Sequence, residues 1–533
     1  MKKYIALLFT VIFTAAVFAQ EGNIDLPDLT TIVTGDTSEI DKIEAPDFSD
    51  VVMLPGENGN IVPELPEIEI IEGEEIVVAS ADSDEKKIYA EGKIGGGYPA
   101  YFIGDFSVSK IYGDNPFKIR FFNSSSAGYA SSKRAEGYYD TETFINLDKT
   151  FTFNNKVLNL YGNYEETGNG LQSKVESISS IKQDSIGGIA DFQWFLPHNF
   201  TLSSKIDSNF YYRFSDVTAN SSEDFACPDW IKKNITFKVE PTLGIAWEND
   251  AFSTGFTALY DYVDDTHRGD FNLDFSWKND FIKLYSSAGF IIGNNLNENI
   301  FMVPFTLGVQ TSIPVYFSDR KLGITLEGGM KTWQNTIESL EKEYKFTAFE
   351  TKPSESSDWY SSFVLQVPLK SAFSANLGIN YSTTAFGNGI WMPVYEDSAF
   401  TYGCYGYSMK ESERFATALD LTYRYKLFAL TASWHANWMD IPAMENRHLF
   451  SMIASLQSKE GKWGTALEAS YSIDAEDKTP YVDFEAYVQA SNSVKFVLSA
   501  EDIFKLVTAS TREYAGKYIA HSGNVTLAVK FLF

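Results

Sequence analysis

The octapeptide Phe271-Asn272-Leu273-Asp274-Phe275-Ser276-Trp277-Lys278 constrains the fold more than any other stretch. Every second residue is large and apolar, and every residue between is polar. Alternation of period two puts one set on each face of an extended strand. The pattern recurs where Trp463, Leu467, Ala469, Tyr471 and Ile473 oppose Gly464, Glu468, Ser470 and Asp474, and where Leu419, Leu421, Tyr423 and Tyr425 oppose Asp420, Thr422, Arg424 and Lys426. A soluble sandwich alternates too, but its outer face has no need of Tyr, Phe and Trp crowded at strand ends. Aromatic residues make up 15% of this chain, and many flank turns, as in the two interfacial girdles of a membrane barrel. A sheet with one face in lipid cannot leave an edge unpaired, so the expectation is a closed cylinder.

The stretch Val525 to Phe533 carries the same logic. Val525, Leu527, Val529, Phe531 and Phe533 share one face, opposite Thr526, Ala528, Lys530 and Leu532. Such a strand needs a partner on each side and an apolar solvent on its greasy face. Short polar breaks fall near Asp114-Asn115-Pro116, Asn154-Asn155, Pro197-His198-Asn199, Glu248-Asn249-Asp250, Lys278-Asn279-Asp280, Ser318-Asp319-Arg320, Leu369-Lys370-Ser371, Tyr425-Lys426, Glu460-Gly461 and Ser491-Asn492-Ser493. If these are periplasmic turns and both termini are periplasmic, they separate hairpins that total about 22 strands. The longer loops are expected around 214 to 233, 334 to 357 and 386 to 413. The fold class is therefore all-β, a transmembrane antiparallel β-barrel over residues 87 to 533.

Upstream of residue 87 the texture differs. Met1-Lys2-Lys3, the apolar run from Tyr4 to Val17 and the small-residue site Val17-Phe18-Ala19 have the form of a signal peptide over residues 1 to 19. Residues 20 to 86 read as a disordered, acidic, proline-containing periplasmic arm. Between 21 and 85 there are 19 acids against Lys42 alone, with Phe48 the one aromatic residue, which is too little apolar surface for a core. The chain's net charge of -28 is concentrated there, and nothing in it suggests nucleic acid. A proline, a carboxylate and an apolar residue recur at Pro27-Asp28, Pro46-Asp47, Pro63-Glu64 and Pro66-Glu67. This is how a linear peptide docks in a groove, or how a solvated spacer avoids aggregation.

Glu75-Ile76-Val77-Val78-Ala79-Ser80, an acid followed by short aliphatics, is suited to adding a strand to a partner's sheet, or serves as a lead-in to the first wall strand. It also resembles the TonB box of TonB-dependent outer-membrane receptors. The size of the predicted barrel, and the region Val497 to Phe504 followed by Tyr518 to Phe533, resemble the barrel and last hairpin of the same family. The resemblance implies the outer membrane of a Gram-negative-type bacterium, a lipid bilayer around the barrel and a periplasmic, TonB-like partner. It also implies that Val529, Phe531 and Phe533 serve as the signal read by the outer-membrane assembly machinery. The sequence departs from the family in having no room for a plug domain between Ser80 and the first strand. The lumen would then stand open, or be filled by the arm, by folded-in loops or by another protein.

Residues with catalytic potential are sparse, and no enzyme activity is expected. His198, His267, His435, His448 and His521 are scattered without metal-ligand spacing, so neither metal nor cofactor is expected. Asp264-Asp265-Thr266-His267 sets acids beside a base, but at a predicted hairpin loop, where polar residues are the default. Cys227 and Cys404 are the only cysteines; export to an oxidising compartment allows a disulfide, and their spacing leaves the pairing open. Gly387 to Tyr395 with Tyr402, Tyr405 and Tyr407 forms an aromatic loop that either takes a flat ligand or packs on itself as a lid. Inward positions Asp274, Lys278, Asp420, Arg424, Lys426, Glu468 and Asp474 mix both signs. The expected function is passage or uptake of a small solute of unknown identity, with the arm docking a periplasmic partner. The alternative is a surface receptor or structural scaffold that conducts nothing, and a barrel hydrolase comes third.

Overall fold

The computed structural model describes residues 88–532, apart from 112–114, 218–226, 296–297, 316–320, 351, 371 and 442–444. The signal peptide, the acidic arm with Pro27 to Glu67 and Glu75 to Ser80, and Phe533 lie outside the described residues.

The wall is a closed antiparallel barrel of 22 strands. Successive strands pair in chain order, and the ring closes where Tyr89–Tyr98 pairs with Asn524–Leu532, Glu91 opposite Leu532 and Tyr98 opposite Val525. One wall strand is built of two pieces, Glu298–Met302 and Phe305–Pro314, both paired to Ile282–Asn295. The break falls at Val303-Pro304, where proline has no N–H to give the ladder, although its carbonyl still accepts from Gly289 N.

The short breaks foreseen in the sequence fall where wall strands meet at one end of the barrel, the end where the first strand begins and the last one finishes, with Asp114, Ser318, Asp319, Arg320 and Ser371 lying outside the described residues. Side-chain chemistry explains several. Asn249 Oδ1 accepts from the N–H groups of Ala251 and Phe252, and Asn279 Oδ1 from those of Phe281 and Ile282, so each asparagine closes its own turn. Asn154, His198, Asn199 and Lys426 take the left-handed φ that reverses the chain in so few residues.

The wall's two faces obey the alternation. Phe271, Leu273, Phe275 and Trp277 face outward, Leu273 being 57% exposed, while Asp270, Asn272 and Asp274 face the lumen with Ser287 and Ile291 on the neighbouring strand. Trp194, Trp247, Trp277 and Trp463 stand within the last residues of their strands at the tight-turn end, and Trp434, Trp438 and His448 pack together near the other end. These are the two aromatic belts of a membrane band. Val529 and Phe531 lie on the outward face across the closing seam, level with Ile94 and Gly92.

Two expectations change. Tyr518–Ser522 alternates like a wall strand but pairs with Thr511–Tyr514 in a loop hairpin, so the last wall strand starts only at Asn524. Of the seven charged positions assigned to the lumen, Lys426 sits in a turn and Asp474 in a loop, where its carboxylate accepts the N–H groups of Arg447 and His448.

Candidate transport lumen and its lid

At the end opposite the tight turns the wall is uneven. The strands Tyr139–Phe153, Lys156–Gly170, Ile178–Leu196 and Phe200–Val217 are 15, 15, 19 and 18 residues long, against 10 for Phe428–Asn437 and His448–Gln457. They form a tall collar on one side of the mouth. The loop 334–355 folds against its inner face and carries the helix Ile337–Glu343, started by Thr336, whose hydroxyl accepts from Ser339 N.

On the collar side, inward side chains of the wall anchor this helix and the residues that follow it. Glu341 and Arg213 pair at 3.1 Å with both side chains fully buried, and Tyr211 donates its hydroxyl to Glu341 at 2.7 Å. Glu338 accepts from Ser185 at 2.8 Å and from Asn209. Lys342 reaches Glu165 at 2.7 Å, Lys345 reaches Asp140 at 2.6 Å, and Gln183 donates to the Glu341 carbonyl. Arg213 also donates to the Trp230 carbonyl at 2.6 Å, which ties the next loop to the same latch. A fully buried ion pair is stable only with such additional bonds, and it fixes one register of the helix on the wall.

The other side of the lid is apolar. Phe349 and Tyr407 stack at 3.9 Å, Trp391 meets Phe349 edge-on, and Tyr407 donates to the Leu340 carbonyl. A second core joins Leu171, Ile231, Phe346, Cys404, Tyr405 and Tyr518, drawn from five different connections. Phe346 and Tyr518 stack at 3.9 Å. Tyr518 donates to the Gly403 carbonyl and Tyr405 to that of Ala515. The aromatic loop Gly387 to Tyr407 therefore packs on its neighbours and forms part of a lid. Cys227 and Cys404 lie in this core as free thiols, so the disulfide is not formed; Cys227 Sγ is directed toward the Pro228 carbonyl. Burial pushes the Cys404 thiol up to about 12.

A charged cluster holds the loop 502–523 to the loop 473–480. The fully buried Asp502 takes Arg512 in a two-pronged contact and His521 at 3.2 Å, and Asp477 takes Lys505 at 2.6 Å. Burial opposes the charge on Asp477, but the Lys505 ammonium and the Thr479 N–H and hydroxyl outweigh it and bring the carboxyl down to about 2. A depressed value adds stability above the ordinary aspartate value of 3.8, and that stability is lost as pH falls toward 2. Pepsin should therefore leave the segment 502–523 intact just above pH 3.8 and cut it near pH 2; with rates normalised to an unstructured peptide, Asp477→Asn should be cut more readily just above pH 3.8 than the parent and show a smaller change on going to pH 2.

Facing the collar, the inward face of the shorter strands mixes small residues, among them Gly378, Ala418, Ser433, Ser451, Ser455 and Ala466, with the acids Asp420, Glu468, Asp483 and Glu485. The collar side carries both signs, with Lys205, Asp207, Lys238, Glu240, Asp261 and Arg268. His267 bonds the Tyr260 hydroxyl, and Asp264 accepts Phe237 N, so the Asp264 to His267 stretch does not bring its acid and base together. The lid latch was not foreseen; the signals for it were a Thr336-x-x-Ser339 cap and the inward Tyr211 and Arg213 on an unusually long strand.

No family model and no curated protein sequence matches this chain. Solved structures do match in fold. The FrpB iron transporter from Neisseria meningitidis (F5-1 variant) superposes with a TM-score of 0.63 at 8% identity, covering 84% of this chain and 82% of its own. The copper transporter OprC gives 0.61 at 10%, covering 84% and 81%. The siderophore receptor PirA from Acinetobacter baumannii gives 0.58 at 7%, covering 84% and 80%.

Proposed function

We propose that this protein is an outer-membrane uptake barrel whose outer mouth is gated by the loop 334–355 and whose N-terminal arm docks a periplasmic partner. The observation that carries the reading is the latch between the lid helix and the collar. Charged and hydrogen-bonding contacts that water can replace hold the lid at Glu338, Glu341, Lys342 and Lys345, which suits a part that comes away. Structural neighbours named as iron and copper transporters and as a siderophore receptor support uptake. The solute runs along the inner face of the shorter strands, where small residues such as Ser433, Ser451 and Ser455 alternate with the acids Asp420, Glu468 and Glu485. The residues between Ser80 and the first strand are too few for a plug, so the lid takes over the task of closing the lumen. Glu75 to Ser80 and the Pro27, Pro46, Pro63 and Pro66 repeats are the partner-binding elements of the arm, and Val529, Phe531 and Phe533 are its assembly signal.

The test is single-channel recording in a planar bilayer, comparing the full chain with one that starts at Lys86. Gated currents from both, with longer openings when a periplasmic partner is added to the full chain alone, are the expected result. Silence from both in folded protein would favour the second reading, a non-conducting receptor, which the meeting of five connections in one apolar core also supports.

A further inference from the structure

The helix Ile503–Thr508 is amphipathic in the reverse sense for a loop surrounded by water. Its buried face carries the cation: Lys505 has 9% of its side chain exposed and is ion-paired to Asp477. Its exposed face carries the apolar side chains, Phe504 at 46% and Val507 at 79%. In water the arrangement would be the opposite, with lysine outward and Phe and Val against the protein.

The helix's position supplies the missing solvent. A Cβ on Gly523 would stand on the outward face, in step with Val525 and Leu527, and there it would collide with the Leu506 backbone nitrogen and the Asp502 carbonyl oxygen. The helix thus crosses the outer side of the wall, above the outward residues Phe496, Leu498 and Leu527 of the two strands that it joins. Its last turn satisfies itself, with Thr508 Oγ1 donating to the Phe504 carbonyl at 2.7 Å, so fewer of its polar groups need water. Left-handed residues at both ends, Asp502 and Ala509, set it off as a separate step in the chain.

We propose that this helix is a membrane-surface anchor: Phe504 and Val507 lie in the interfacial zone of the leaflet on the lid side, extending the barrel's lipid band upward at the closing seam. Lys505, held from below by Asp477, sets the helix's rotation so that both apolar side chains face lipid. The anchor thereby fixes the loop 502–523, and with it Tyr518 in the lid core, to the bilayer.

Spin labelling of Val507→Cys in the full chain, reconstituted in phosphatidylcholine vesicles, tests this; the two native thiols are buried. Accessibility to oxygen is compared with that to a water-soluble nickel chelate, with Leu527→Cys as the lipid reference and Glu476→Cys as the aqueous one. The Val507 label should match Leu527, with an oxygen-to-nickel ratio several-fold above that at Glu476. A ratio equal to that at Glu476 would overturn the proposal, as would shielding from both reagents, which would mean a contact with another copy of the chain or another protein. An aqueous reading at Leu527 would sink the membrane reading of the barrel, and the anchor with it. Should Val507→Cys not refold, Phe504→Cys reports on the same face.

Discussion

Replacing residues 337–349 by a short Gly-Ser bridge should raise single-channel conductance several-fold and leave the thermal unfolding of the wall nearly unchanged. The segment contributes nothing to the wall ladder, since Trp333 and Ser356 pair directly at the base of the loop. Its removal returns Asp140, Glu165, Tyr211 and Arg213 to water, so none of them is left buried without a partner. A barrel of this strand number needs some filling to be closed to solutes. Conductance unchanged from that of the intact chain would mean that the lid is not what limits passage, and the gating reading would be dropped.

Glu341→Ala should undock the lid. It leaves the fully buried Arg213 facing a cavity, with the Trp230 carbonyl and Ser215 as its remaining hydrogen-bond acceptors among the described residues. Removing one partner of a buried pair costs about 3–5 kcal/mol. Here that cost can be relieved by swinging the lid outward, so it should appear as a shift of the docking equilibrium by about two to four orders of magnitude. Trypsin reads this directly, because Lys342 and Lys345 are held in ion pairs only while the helix is docked. Cleavage there should be fast in Glu341→Ala and slow in the parent. The combined change Tyr211→Phe, Arg213→Met and Glu341→Leu should restore most of the protection, since a well-packed apolar group of similar volume replaces the ion pair at little cost and no hydroxyl is left without its acceptor. Equal cleavage rates in all three proteins would show that the pair does not hold the lid.

The barrel was legible in the sequence because its determinants are local. Alternation in Phe271 to Lys278 needs only neighbouring residues to be read, and Asn249 and Asn279 close their turns with their own side chains. The strand count followed from those turns. The lid was not legible, for the opposite reason. Glu341 lies in IESLEKE, where any reading of composition places it on a solvated face, and only Arg213 and Tyr211, brought across from a distant strand, make it a buried residue. Tyr518–Ser522 misled because a loop hairpin that packs one face on a core has the same period as a wall strand. Compartment grounds allow a bridge between the two cysteines and leave the pairing open; sequence could not say that both would share an apolar core and yet remain thiols.

The seam between Tyr89–Tyr98 and Asn524–Leu532 also governs how the chain must be made. No wall strand before the last can give the first one its second neighbour, so the cylinder is unfinished until the segment Asn524–Leu532 is in place. Hairpins zip locally and early, but the closing ladder joins the two ends of the sequence and is the slowest contact to form. Until then the amides of Tyr89–Tyr98 are an open edge, available to any other extended chain nearby. The time the protein spends exposed to chaperones and proteases is therefore set by this single ladder, and substitutions along Val525 to Leu532 should act on yield in the membrane far more than on the stability of molecules already closed.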